Sequence, residues 1–282
     1  MSPLFDYDFR GKHGTLPTMS DKILYQLDPD GVAVITFNRP HAKNALDLAA
    51  MAHFAEIIDH VADESEVRAV IVTGAGNEAF CSGGDLVELG QRPTEDDARE
   101  FITLMGDALL RLERLPVPVI AAINGYALGG GSEIAVACDL RVVDEKARMG
   151  FVQMRLGLSP GWGAGQRLMR LLGYARAMDV LLSGHVMHAP ELVERGLATR
   201  VAEAGEALER ALIFARRIAA EPPDAVRAVK ALLQAGLNHP YEDALRIERD
   251  LFPPLWAAEP HLKAVDSFLK RNNHKPQKKE TP

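Results

Sequence analysis

Two short, uninterrupted apolar runs, RAVIVTG (Arg68 to Gly74) and PVPVIAAIN (Pro116 to Asn124), each lead straight into a glycine-rich loop, GAGNEAFCSGGD and GYALGGGSE. Runs this short and this apolar read as strands buried on both faces, as in parallel sheets covered by helices. Helical patterns lie between them and supply the crossovers that parallel strands need. The expected class is therefore α/β rather than a sandwich of alternating strands.

The rest of the chain fits that frame. ILYQLD (Ile23 to Asp28) and VAVITF (Val32 to Phe37) flank the turn signal PDG and predict a hairpin. Asp47 is placed to cap a helix in which Leu48, Met51, Phe54, Ile57, Ile58 and Val61 recur at helical spacing. A second helix is expected from Thr94 to Leu115, and LRVVD reads as another short strand. From Trp162 onward the texture is mainly helical, interrupted by the strand-like ATRVAE. The expected organisation is a mobile arm over 1–20, a core over 21–202, a helical region over 203–272 and a disordered tail over 273–282.

Composition excludes several classes of function. A formal charge of −7 argues against a nucleic-acid or anionic-membrane surface. The two cysteines, Cys81 and Cys138, are far apart in apolar or small-residue settings, which argues against a disulfide framework and for a reducing compartment. No stretch reaches the roughly 18 apolar residues of a spanning helix, and MSPLFDYDFRGKHG is neither signal-like nor transit-like. A cytoplasmic location is expected. The histidines of HVMH, His185 and His188, suggest a metal site only weakly, because no third ligand accompanies them in sequence.

Glycines let a bound group approach the backbone, and a helix that starts just after them offers free N–H groups. Gly129 to Ser132 thus form either an anion or oxyanion site or a tight strand-to-helix packing turn. Glu133 is either a catalytic acid or an acid in the first helical turn. Neither G-x-G-x-x-G nor a GK[ST] loop occurs, so a nucleotide site is disfavoured. The second glycine loop, AFCSGGD, adds a possible second backbone donor for one carbonyl oxygen.

These stretches resemble the crotonase, or enoyl-CoA hydratase/isomerase, superfamily over nearly the whole chain. The pieces, in order, are VAVITFNRPHAKNAL, RAVIVTGAGNEAFCSGGDL, VIAAINGYALGGGSEIAVACDLRV, LGLSPGWGAGQRL, the LLSG and ELVERGLATRV segments, and AVDSFLKR. The resemblance implies a spiral of ββα turns with a C-terminal helical region that builds trimers or dimers of trimers. It implies an acyl-CoA thioester substrate, no diffusible cofactor, and an oxyanion hole made by the amides of Gly84 and Gly130. It also implies CoA contacts near Lys43, Ala45, Ser82, Gly83, Asp85 and Leu86, with Phe268 and Lys270 near the CoA phosphates or adenine; the alternative for Lys43 and Lys270 is that they are solvated surface lysines.

One position departs from the pattern. Glu133 matches the first of two glutamates used by the hydratases, but the second falls on Gln153, four residues before Gly157. An amide can donate and accept hydrogen bonds but has no proton to relay at neutral pH. Isomerisation through a second glutamate and dehalogenation, whose nucleophile would fall near Gly161, are disfavoured. The P-x-W-G form of SPGWG, the missing glutamate and ERDLFPPLW resemble the ethylmalonyl-CoA decarboxylase branch. Trp162 is either a wall of the acyl pocket or a core tryptophan. Three readings stand: decarboxylation of an alkylmalonyl-CoA, hydration of an enoyl-CoA with Glu133 alone, and a non-catalytic acyl-CoA-binding protein.

Overall fold

The structure is a computed structural model that describes residues 21–273. The arm expected over 1–20, and the tail expected over 273–282 apart from Asn273, lie outside the described residues. The described chain divides into two compact units, with the boundary between Ala220 and Glu221.

The first unit carries two sheets. β1 (Ile23–Leu27) and β2 (Val32–Phe37) form the expected antiparallel hairpin, with Ile23 opposite Phe37. Asp28 shapes its turn, its carboxylate accepting the amides of Asp30 at 3.0 Å and Val32 at 2.8 Å. α1 (Leu48–Asp63) starts where Asp47 accepts the Ala50 amide at 2.8 Å. β3 (Ala69–Gly74) then pairs parallel with β2, and β4 (Ala79–Cys81) leaves that sheet. α2 (Leu86–Leu89) and α3 (Glu95–Arg114) follow, the latter opened by a capping box between Thr94 and Asp97. Next come β5 (Val119–Ile123), β6 (Tyr126–Leu128), α4 (Gly130–Ala137), β7 (Leu140–Asp144) and β8 (Arg148–Gly150). α5 (Ala164–Leu172), α6 (Tyr174–Ser183), β9 (Val186–His188), α7 (Ala189–Glu194), β10 (Arg200–Ala202) and α8 (Ala207–Ala219) complete the unit.

The large sheet runs β1-β2-β3-β5-β7-β10 and the small one β4-β6-β8-β9. The pairs β3 and β4, β5 and β6, β7 and β8 each place one strand in each sheet. The chain therefore winds through repeated ββα turns, as the resemblance implies. The parallel pairing of β4 with β6 sets Cys81 beside Ala127 and so brings the two glycine loops together. Between the sheets and α1, the buried rings of Phe37, Phe54 and Phe80 meet with centroids 5.3 and 5.6 Å apart.

The other side of the large sheet is covered by α8, whose Ala211, Leu212 and Ala215 pack on Val34, Ile71, Ile120 and Val142. This moves the end of the core from the expected 202 to 220, because α8 is part of the sheet's packing. An amphipathic pattern shows that a helix has an apolar face but not what the face covers. The second unit consists of α9 (Pro223–Asn238), α10 (Tyr241–Ala257) and α11 (Glu259–Asn273). Among the described residues, no helix is long and apolar enough to cross a membrane.

Candidate active site

The two glycine loops meet at the end of the small sheet. A Cβ on Gly83 would stand 2.9 Å from the Gly130 amide nitrogen and 3.2 Å from the Leu128 carbonyl. Gly129 turns the chain into α4 with φ +54° and ψ −119°, a conformation that L side chains avoid. A Cβ on Gly131 would overlap the Cys81 carbonyl, and one on Gly130 would overlap the Trp162 ring. The packing reading of the glycines is therefore correct as far as it goes. Among the described residues, however, neither the Gly84 amide nor the Gly130 amide donates to another group. Two backbone donors in neighbouring loops remain available to a ligand.

Ser132 fixes the start of α4 within the small sheet. Its hydroxyl lies 2.7 Å from the Ala127 carbonyl and 2.9 Å from the Gly150 carbonyl, and accepts the Gly150 amide at 3.2 Å. One turn into α4, Glu133 is 2 % exposed. Its Oε1 accepts from Gln153 Nε2 at 2.9 Å and the Gly161 amide at 3.3 Å. Its Oε2 accepts from the amides of Trp162 at 2.7 Å and Ala164 at 3.0 Å. The sequence alternative of an acid serving its own helix gives way to a longer-range one. Glu133 serves the start of α5, whose N-cap Gly163 has no side chain to offer. Burial pushes the Glu133 carboxyl above its ordinary value, and the amides of Ala164, Trp162 and Gly161 together with Gln153 pull it part of the way back.

Gln153 opens a short 3₁₀ turn, Gln153–Leu156. Its Nε2 faces the Glu133 carboxylate, which fixes the amide orientation, since Oε1 there would set acceptor against acceptor. The other end, Oε1, is shielded from solvent and has no hydrogen-bond partner among the described residues. Trp162 is 5 % exposed, with its indole against Gly130; it is a core residue that also borders the site. Behind it, Arg167 donates to the Trp162 carbonyl at 2.8 Å and to Glu113 on α3 at 2.8 Å.

The remaining sequence candidates divide by location. Lys43 ends the 3₁₀ turn Pro40–Ala42 in a left-handed conformation; it is exposed and pairs with Glu78 at 3.3 Å. Ala45 is buried, Ser82 donates its amide to the Lys43 carbonyl at 3.1 Å, and Leu86 is exposed. Asp85 caps α2 through the Val87 amide and pairs with Arg39 at 2.9 Å. Burial works to raise the Asp85 carboxyl, but Arg39 and the backbone amides hold it below the ordinary range. These residues lie on two segments, 43–45 and 82–86, joined by that Ser82–Lys43 bond and by a bridge between Leu46 and Gly84. Phe268 and Lys270 lie on α11 of the second unit, both exposed, Lys270 paired with Asp266 at 2.6 Å. His185 and His188 face the same carboxylate, Glu191, and no group of three or more potential metal ligands occurs among the described residues.

Sequence reasoning missed Arg39, Asn44 and the amides of Gly161 and Ala164; Ser132 was read only as the end of the glycine-rich turn. Asn44 has φ +56°, accepts the Arg39 amide at 2.9 Å and donates to the carbonyls of Ala75 and Ala79 at 3.0 and 2.7 Å. Asn44 lies inside VAVITFNRPHAKNAL, where only Lys43 and Ala45 drew a functional reading.

The chain matches the enoyl-CoA hydratase/isomerase family profile over residues 28–278. It is 37% identical over 246 residues to a short-chain-enoyl-CoA hydratase of Clostridium acetobutylicum, covering 87% of this chain and 94% of that protein. It is 36% identical over 239 residues to an ethylmalonyl-CoA decarboxylase of Xenopus laevis, covering 84% of this chain and 79% of that protein. The solved enoyl-CoA hydratase of Bacillus anthracis superposes with a TM-score of 0.84 at 34% identity, over 89% of this chain and 96% of the other. Matches of this extent establish the chain as an enzyme of the enoyl-CoA hydratase/isomerase, or crotonase, family.

Proposed function

We propose that the enzyme is an acyl-CoA lyase that holds a thioester enolate between the amides of Gly84 and Gly130, and that its reaction is decarboxylation of an alkylmalonyl-CoA. The observation that carries this reading is the pair Glu133–Gln153, a single carboxylate bonded at 2.9 Å to a neutral amide. Hydration by two glutamates requires a second proton carrier, and Gln153 is not one. Decarboxylation requires the opposite, a site that admits the substrate's own carboxylate. A second anion about 4 Å away would oppose that carboxylate by roughly 4 kcal/mol at an effective dielectric near 20. The neutral amide removes this penalty.

In this reading the bond from Cα to the carboxylate breaks and CO2 leaves. The electron pair moves into the thioester and charges its oxygen, which the two amides stabilise. A proton then adds to Cα from Glu133, whose raised affinity suits an acid, and a water molecule returns the proton to Glu133 while its hydroxide takes up the released CO2 as bicarbonate. CoA enters as part of the substrate, and no diffusible cofactor is needed. Lys43, Ala45, Ser82, Gly83 and Leu86 are assigned to CoA contact, as are Phe268 and Lys270, in a homotrimer or dimer of trimers.

Incubation with ethylmalonyl-, methylmalonyl- and crotonyl-CoA, followed by mass spectrometry, tests the proposal. Loss of one CO2 from the malonyl thioesters is expected, without addition of water to crotonyl-CoA. Hydration of crotonyl-CoA without loss of CO2 would support Glu133 acting alone as a hydratase, and no product from any of the three would overturn both reactions.

A further inference from the structure

Gly84 has no side chain, so the direction of its amide is set by the chain around it. It forms an isolated parallel bridge with Leu46. The Leu46 amide donates to the Gly83 carbonyl and the Asp85 amide to the Leu46 carbonyl, both at 2.8 Å. Arg39 spans this bridge. Its Nη1 donates at 2.7 Å to the carbonyl of Ala45, the residue before Leu46. Its Nη2 donates at 2.9 Å to Oδ2 of Asp85, the residue after Gly84. Asp47 Oδ2 lies 3.5 Å from Nη1.

Arg39 is itself anchored, because its amide donates to Asn44, which is tied to Ala75 and Ala79 in the loop between β3 and β4. The Arg39 and Asp85 side chains are 15% and 16% exposed, so water competes little for the pair. Charge-assisted bonds in such a setting are short and directional. The planar guanidinium meets acceptors on two chain segments at once; an ammonium on a flexible stem lacks that fixed fork.

We propose that Arg39 is a positioning residue for catalysis: by holding Ala45 and Asp85 on either side of the Leu46–Gly84 bridge, it fixes where the Gly84 amide points its hydrogen. Arg39 touches no reacting atom and acts through Gly84, so the inference rests on the oxyanion role proposed for that amide. Its test therefore uses a readout of enolate formation that does not depend on the reaction the enzyme performs. That readout is exchange of the Cα hydrogens of butyryl-CoA in D2O, followed by mass. Turnover of ethylmalonyl-CoA is measured beside it. Affinity for S-butyl-CoA, a thioether without a carbonyl oxygen, reports binding alone.

Arg39→Met is expected to lower exchange and kcat by about 10²-fold, the scale of losing or misaligning one oxyanion donor, while KM and thioether affinity stay within roughly twofold. Arg39→Lys recovers little of the loss. Wild-type exchange in Arg39→Met, or a loss of thioether binding in proportion to rate, would overturn the assignment. If Arg39→Met does not fold, Arg39→Lys and Asp85→Asn decide the matter, since the asparagine keeps an acceptor for the Val87 amide. Both should lose rate, and the double variant should be no slower than the slower single one. Fully additive losses would count against a shared brace.

Gly84→Pro removes the amide hydrogen itself and separates the two levels of the argument. Undiminished exchange in Gly84→Pro would sink the oxyanion reading. Slow exchange there, with normal exchange in the Arg39 variants, would sink only the brace. Neither exchange nor turnover in the unaltered enzyme would remove the reading on which both stand.

Discussion

Gln153 and Glu133 differ by one functional group and together set the charge of the site. A carboxylate at position 153 would sit against Glu133 at hydrogen-bond distance, and one of the two would have to hold a proton. Gln153→Glu is therefore expected to cut decarboxylation of ethylmalonyl-CoA by at least about tenfold and to raise hydration of crotonyl-CoA, both read by mass. Glu133→Gln tests the other partner. It should lower kcat by about 10²–10⁴-fold, the span of a lost general acid. It should also lower the melting temperature, because a carboxamide has one acceptor oxygen for donors that two now satisfy. Activity alone would not separate these effects, so both are measured. The pH dependence has a definite sign. Burial raises the Glu133 carboxyl in the folded enzyme, so its contribution to stability is fully present below the ordinary glutamate value and is lost as pH rises through the folded one. Denaturation midpoints of wild type and Glu133→Gln over roughly pH 4 to 8 should show that decline in the wild type only.

At the scale of elements, the site is a junction between α4, the start of α5 and the loop after β4. The strands RAVIVTG and VIAAI and the glycine loops after them were legible because buried strands and glycine clusters are local signals. The small sheet was not, since β4, β6, β8 and β9 have three residues each and lie inside what reads as loop. Glu133 was legible as an acid near the helix start. Its tie to Trp162 and Ala164, about thirty positions downstream, was not, because a side chain that caps a distant helix leaves no pattern of its own. Trp162 joins these elements by lying on Gly130. Gly130→Ala is expected to be destabilised through collision with the indole, by about 1–3 kcal/mol as for an overpacked core. Trp162→Phe in the same chain should restore part of that loss in thermal melting. Independent, additive losses in the double variant would mean that the indole does not set the space at Gly130.

For the whole molecule, the second unit poses a question that its own packing does not answer. Val229, Leu233 and Leu237 follow one another at four-residue intervals on α9 and are each more than half exposed. Phe252 and Trp256 do the same on α10, with ring centroids 5.8 Å apart, and Leu262, Phe268 and Leu269 are exposed on α11. An apolar stripe at helical spacing fits against another apolar surface, and exposed apolar patches are a feature of protein contacts. A second copy of the chain is the simplest such surface, because closed symmetric oligomers are the common solution for soluble enzymes. For the homotrimer or dimer of trimers proposed above, light scattering on the purified enzyme should give a mass of three or six times 30.8 kDa. Leu233→Glu combined with Phe252→Glu should shift that mass toward the single chain and lower the melting temperature, since each places a charge on an apolar stripe. If the wild type scatters as one chain at every concentration, the exposed stripes are not an oligomer interface. If the charged variant keeps the full mass, the contact lies on other faces of the molecule.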